Sequence, residues 1–162
     1  MLIGLMSDSH DNVPLIKKAV DYFNKKNVEA VFHAGDFISP FCAKEFKNLT
    51  SSFIGVFGNN DGERKMWYEN LNGWGKISEG MAEETIGGVR FLVMHEPRNL
   101  EALAKSGKYD VIVFGHTHRP EHRKIGQTLL VNPGECGGWL TGRAGVAVLE
   151  TPALKLDFVT LS

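Results

Sequence analysis

Asp110-Val111-Ile112-Val113-Phe114-Gly115-His116-Thr117-His118 is an apolar run that ends in a glycine and two imidazoles set two residues apart. Four consecutive apolar residues, Val111 to Phe114, closed by a glycine, read as a fully buried strand of the kind that fills parallel sheets. His116 and His118 then fall just past the carboxyl end of that strand, where open α/β sheets place their ligands. A lone His-x-His is a weak metal signal and reads equally as turn residues. What decides its meaning is the company the two histidines keep.

Outward from this stretch the same layout recurs. Leu2 to Met6 is apolar and runs into Ser7-Asp8-Ser9-His10. Ala30-Val31-Phe32 runs into His33-Ala34-Gly35-Asp36, and Phe53 to Phe57 into Gly58-Asn59-Asn60-Asp61. Glu83 to Ile86 and Val89 to Met94, joined by Gly87-Gly88, read as a β-hairpin whose second strand ends at His95. Between the early strands the period changes to that of helices. Pro14 suits a first helical turn, Leu15, Ile16, Ala19, Val20 and Phe23 share one face, and Asn27 is a stop. Pro40 opens a second expected helix with Phe41, Ala43, Phe46 and Leu49 as its buried stripe. Arg64 to Trp74 and Leu100 to Ala104 supply two more. After His118 come only strands and turns: His122–Ile125, Leu129–Val131, Gly145–Leu149 and Leu154–Val159. An α/β half followed by a meander implies two sheets packed face to face with helices outside.

The 162 residues amount to a single domain, 1–162, with 43% hydrophobic and 23% charged residues. Eighteen Lys+Arg against 19 Asp+Glu leave a net charge of −1, so no global basic field favours nucleic acid beyond nucleotide-sized substrates. Cys42 and Cys136 match neither a zinc spacing nor a disulfide framework and read as free thiols. The apolar start, Met1 to Met6, is too short for a secretory core or a membrane span, which points to a cytoplasmic protein without a membrane partner.

Collected, the strand ends present Asp8, His10, Asp36, Asn59, His95, His116 and His118. Singly, Asp8, Asp36 or Asn59 reads as a turn or cap residue, and His33 as structural. Five apolar strands all ending in ligand-capable residues is a different matter. Nitrogen and oxygen donors without thiolate suit Mn²⁺, Ni²⁺, Zn²⁺, Fe²⁺ or Co²⁺ better than Mg²⁺ or Ca²⁺, and seven donors with one shared carboxylate suffice for two ions. Two ions about 3.5–4 Å apart suit in-line phosphoryl displacement.

Asp8-Ser9-His10, Gly35-Asp36, Gly58-Asn59-Asn60-Asp61, His95, Gly115-His116-Thr117-His118 and Asn132-Pro133-Gly134 together resemble the calcineurin-like metallophosphoesterase superfamily. The likeness is greatest to its small single-domain bacterial and archaeal phosphodiesterases, the YfcE type. The resemblance implies an α/β fold, a four-layer α/β/β/α sandwich of two mixed β-sheets flanked by helices. It implies two divalent metal ions, Mn²⁺ or Ni²⁺ first. Asp8, His10, Asp36 and His118 would hold one ion and Asp36, Asn59, His95 and His116 the other. Asp36 would bridge them with a water or hydroxide that attacks phosphorus, and the substrate would be a small phosphodiester.

Two positions depart from the family pattern. Many members carry a histidine where this chain has Asn60, and an amide can donate a hydrogen bond but cannot deliver a proton. The expected preference is therefore for diesters with good leaving groups over alkyl phosphomonoesters, with His122 the one further imidazole near the donors in sequence that could act as an acid. Glu96 stands after His95 where relatives usually carry glycine, either orienting His95, repelling an anionic substrate or facing solvent. Met66, Trp67, Tyr68, Trp74 and Trp139 suit the core, a pocket wall or a homodimer contact, with at least one expected to be exposed. The competing readings are a phosphomonoesterase and a non-catalytic scaffold like the retromer subunit that shares the fold. The scaffold branch departs from the ligand pattern that this chain keeps.

Overall fold

The computed structural model describes residues 1–161. Eleven strands and four helices form among them. β1 (Leu2–Met6), β2 (Ala30–His33), β3 (Ser52–Val56) and β4 (Gly75–Ser78) run parallel in one sheet. β10 (Gly145–Glu150) adds antiparallel to β1 and β11 (Lys155–Thr160) antiparallel to β10, giving the order β11-β10-β1-β2-β3-β4. The second sheet has the order β5-β6-β7-β9-β8. Its centre, β6 (Val89–Met94), β7 (Val111–Val113) and β9 (Thr128–Asn132), is parallel. Its edges, β5 (Met81–Ile86) and β8 (Glu121–Ile125), are antiparallel.

Side-chain alternation sorts the core into layers. Ile3, Leu5, Phe32, Ile54 and Val56 point inward from the first sheet and meet Phe91, Val93, Val111, Val113 and Val131 of the second. The opposite face of the first sheet is covered by α1 (Val13–Lys26), α2 (Ala43–Phe46) and α3 (Arg64–Leu71), through Ile16, Val20, Phe23, Phe46 and Trp67. The outer face of the second sheet presents Leu92, Ile112 and Leu130 to α4 (Leu100–Lys105). The result is the four-layer α/β/β/α sandwich. No helix among the described residues is long and apolar enough to cross a membrane.

Three local readings of the sequence are corrected. Pro40 opens a 3-10 turn, Pro40–Cys42, capped by Ser39 Oγ, and the α-helix that follows is only Ala43–Phe46. The tighter 3-10 turn shifts Phe41 off the buried stripe, leaving it 77% exposed. β4 carries Lys76 and Ser78 alternating with Ile77, a four-residue edge strand with too short a pattern to register as one. Leu154 lies outside β11, in a turn with φ +53°.

Register places the site. Met6 is opposite His33 and His33 opposite Gly55, so β1, β2 and β3 end level. Val93, Val113 and Val131 are likewise in line across β6, β7 and β9. The loops holding Asp8, Asp36, Asn59, His95 and His116 therefore leave both sheets at one end of the sandwich.

Candidate metal centre

The seven predicted donors converge at that end in two groups that share one atom. Asp8 Oδ1 lies 3.4 Å from His118 Nε2 and 3.8 Å from His10 Nε2, and the two nitrogens are 3.4 Å apart. Asp36 Oδ2 is 3.8 Å from the same His10 nitrogen and 3.4 Å from His95 Nε2. On the far side, Asn59 Oδ1 is 3.0 Å from both His95 Nε2 and His116 Nδ1, which are 3.3 Å apart. Asp8 also stands within 4.8 Å of donor atoms of Asp36 and His95, so both carboxylates lie between the groups. Only Asp36 Oδ2 approaches a nitrogen of each group within 4 Å.

The Asn59 contacts to His95 and His116 are of hydrogen-bond length, while the spacings as a set also suit donors around an ion. Asp8 Oδ1 is buried without a hydrogen-bond partner, a costly arrangement for a carboxylate unless a cation meets it. Donors held about 2.0–2.2 Å from a shared ion stand about 3.0–3.6 Å from one another. The observed spacings cluster there.

The backbone bends to make this possible. Asp8, His10, Asp36, His116 and His118 all have φ between +43° and +68°, so five of the seven donors are non-glycine residues in the left-handed region. Such outliers concentrate at functional sites. Two glycines permit close approach: a Cβ on Gly115 would stand 2.8 Å from Asp8 Oδ2, and one on Gly58 would collide with Asp36 Oδ1.

Surrounding groups hold several of these donors in place. His95 Nδ1 donates to Ala34 O at 2.8 Å, which aims Nε2 at the centre. His118 Nδ1 lies 3.3 Å from Glu135 Oε1, though off the line of a hydrogen bond. Glu135 is 1% exposed and accepts from the backbone N–H groups of Leu140 and Thr141 and from Thr141 Oγ1. Asp61 accepts from the N–H groups of Asp36, Gly58 and Ile38, tying two donor loops together. Asn132 Nδ2 donates to Gly115 O and Thr117 Oγ1 and so holds the His116–His118 loop. In the sequence Asp61 and Asn132 stand out only as members of the motifs Gly58-Asn59-Asn60-Asp61 and Asn132-Pro133-Gly134. Glu135 was not legible there, carrying no signal except a carboxylate in a glycine-rich stretch.

Charge distribution follows from burial and partners. Burial pushes the Asp36 carboxyl up, but His95 and the backbone and side-chain N–H groups of Asn60 outweigh it and hold it well below the usual carboxylate range. Burial raises Asp8, against a hydrogen bond with Ser7 and the nearby His95 and His118. For His95, burial favours the neutral ring, yet Asp36 prevails and lifts its pKa. Burial and the charge of His95 keep His33 neutral, with Gly35 N–H donating to Nδ1 and Nε2 3.0 Å from Ser9 Oγ, stacked 3.7 Å from Phe37. His33 is a packed structural residue. Both thiols are buried, desolvation pushes Cys136 up to about 12, and neither stands in a donor cluster among the described residues.

The remaining candidates lie around this centre. Asn60 is exposed, donating from Nδ2 to Asp36 Oδ2 at 2.7 Å and from its backbone to Oδ1 at 2.9 Å. His122 is on the edge strand β8 with its ring 5.8 Å from Phe158, and no hydrogen bond or ion pair joins it to a donor among the described residues. Glu96 pairs with Arg98 at 2.6 Å at the protein surface. Of the aromatics, Trp67 is in the core, while Tyr68 and Trp139 are exposed, the latter donating from Nε1 to His10 O.

The chain is similar to known proteins in sequence and in fold. Over 156 residues, 93% of each chain, the sequence is 44% identical to phosphodiesterase MJ0936 of Methanocaldococcus jannaschii. A solved archaeal phosphodiesterase superposes with a TM-score of 0.92 at 40% identity, covering 99% of this chain and all of that one. Zinc-complexed Vps29 of Entamoeba histolytica, at 18% identity and a TM-score of 0.69 over 99% of each chain, shares the fold alone. The family model of the calcineurin-like phosphoesterase superfamily domain matches residues 1–153, and the chain belongs to that superfamily.

Proposed function

We propose that the protein is a dinuclear-metal phosphodiesterase. Asp8, His10, Asp36 and His118 would hold one divalent ion, and Asp36, Asn59, His95 and His116 the other, with Mn²⁺ or Ni²⁺ as the first candidates. When bound, such a pair polarises phosphoryl oxygens and acidifies a water into the neutral range. The observation that carries the reading is the single oxygen, Asp36 Oδ2, standing between two clusters of neutral-capable nitrogen donors. The 44% identity to a protein named a phosphodiesterase supports diesters as the substrate class.

The chain's own residues then divide the work. The depressed pKa of Asp36 keeps it a carboxylate across the physiological range, and Asn60 holds its orientation through two hydrogen bonds. The Asn60 amide, exposed beside the donors, can give a hydrogen bond to a phosphoryl oxygen. It cannot pass a proton to a departing alkoxide. Leaving groups that depart as stable anions are therefore favoured over alkyl alcohols.

Purified protein reconstituted with Mn²⁺ or Ni²⁺ is expected to cleave an activated aryl diester faster than an alkyl phosphomonoester. Asp36→Ala should lose more than about 100-fold, the upper scale for removing an outer partner of a ligand. Faster alkyl monoester cleavage would favour the phosphomonoesterase reading, and activity surviving in Asp36→Ala would contradict the shared carboxylate.

A further inference from the structure

Two clefts flank the donor row, and their charges differ. The first, about 680 Å³, opens beside Asn59 and His95 and is bounded by Arg64 and Arg98. Both cations are already spent: Arg64 is paired with Glu79 and Arg98 with Glu96. The second, about 470 Å³, opens at the other end beside His118 and buried Glu135, with Pro120 and Phe158 in its walls and Arg119 and Arg143 along it. These two guanidinium groups have no partner among the described residues.

The contrast holds for the whole chain. Of its six arginines, Arg64, Arg90, Arg98 and Arg123 each hold a carboxylate, respectively Glu79, Asp110, Glu96 and Glu121. The two that do not are brought from different loops, one directly after the ligand His118 and one from the turn before β10, into a single cleft that reaches the donor row. Glu135, the acid in that cleft, is occupied by three donors from Leu140 and Thr141 and faces His118. No ion pair joins it to Arg119 or Arg143 among the described residues. Two guanidinium-bearing side chains lining one cleft with apolar walls suit a phosphate carried on an organic body.

Building on the phosphodiesterase reading, we infer that the cleft formed by Arg119 and Arg143 is a substrate subsite for a further phosphate, so that the preferred diesters are those whose one arm carries a terminal phosphate. The arm without a charge would lie toward the opposite cleft, where the cations are paired. Arg119 and Arg143 are then specificity residues, acting on substrate choice and not on the reacting phosphorus.

The test compares a dinucleoside monophosphate with its terminally phosphorylated counterpart, using Mn²⁺-loaded wild type, Arg143→Gln and the Arg119→Gln/Arg143→Gln double variant, with the activated aryl diester as reference. The wild type is expected to favour the phosphorylated substrate in kcat/KM by about ten- to a hundredfold, the range for charge-assisted hydrogen bonds, mainly through KM. The ratio should fall in Arg143→Gln and approach one in the double variant. A ratio near one in the wild type, or one kept in the double variant while both rates drop together, overturns the subsite and leaves the phosphodiesterase reading standing on the aryl diester. If no diester is cleaved, that reading falls, and calorimetric binding of the two dinucleotides decides the cleft: tighter binding of the phosphorylated one, lost in the double variant, supports it, and equal binding overturns it.

Discussion

Among the predicted donors Glu135 contacts His118, its Oε1 lying 3.3 Å from Nδ1. Burial pushes its carboxyl up, but the N–H groups of Leu140 and Thr141 and the Thr141 hydroxyl outweigh it and keep it ionised below the ordinary range. An ionised carboxylate 3.3 Å from Nδ1 raises the electron density of the ring and so favours Nε2 as a metal donor. Glu135→Gln should weaken Mn²⁺ affinity about 10–100-fold at the Asp8–His10–His118 end, read by calorimetric titration, with the fold intact by circular dichroism. Unchanged affinity would make Glu135 a loop brace only. The residue-scale features differed in how visible they were in the sequence. Asp8, His10, Asp36 and the two loop histidines stand out because each follows an apolar run directly. Glu135 and Asp61 act through hydrogen bonds to backbone groups that become neighbours only on folding, and the three N–H donors to Asp61 leave no mark in composition.

At the scale of elements, the strands that carry donors were legible because they are buried on both faces and end abruptly in polar residues. β2 is buried at all four positions, and β6 at five of six. The elements that misled are those whose burial is partial. β4 buries only Ile77, and the segment after Pro40 splits between two helical periods. Burial also decides which strand mutations matter. Phe32 is fully buried between the sheets, 5.0 Å from Phe91 ring to ring, two residues from Ala34, whose carbonyl orients His95. Phe32→Ala should cost about 3–5 kcal/mol in urea denaturation. A loss below 1 kcal/mol would mean the sheet interface repacks around the gap.

For the whole molecule, the two sheets end together, and this alignment turns seven residues spread from position 8 to position 118 into one centre. No periodicity in the sequence encodes the register that aligns Met6 with His33 and Val93 with Val113. The family motifs do so only by resemblance. The same alignment leaves a cleft at either end of the donor row, one with its arginines paired and one with them free. The proposed division of His116 and His118 between two ions, joined by Asp36, is the point on which the proposed mechanism and substrate orientation both depend. It is tested most directly by anomalous diffraction from Mn²⁺-loaded crystals of the wild type, His116→Ala and His118→Ala. Two peaks flanking Asp36 are expected in the wild type, with His116→Ala losing the peak beside Asn59 and His95, and His118→Ala the peak beside Asp8 and His10. A single peak in the wild type, or equal loss of both from either variant, would contradict it.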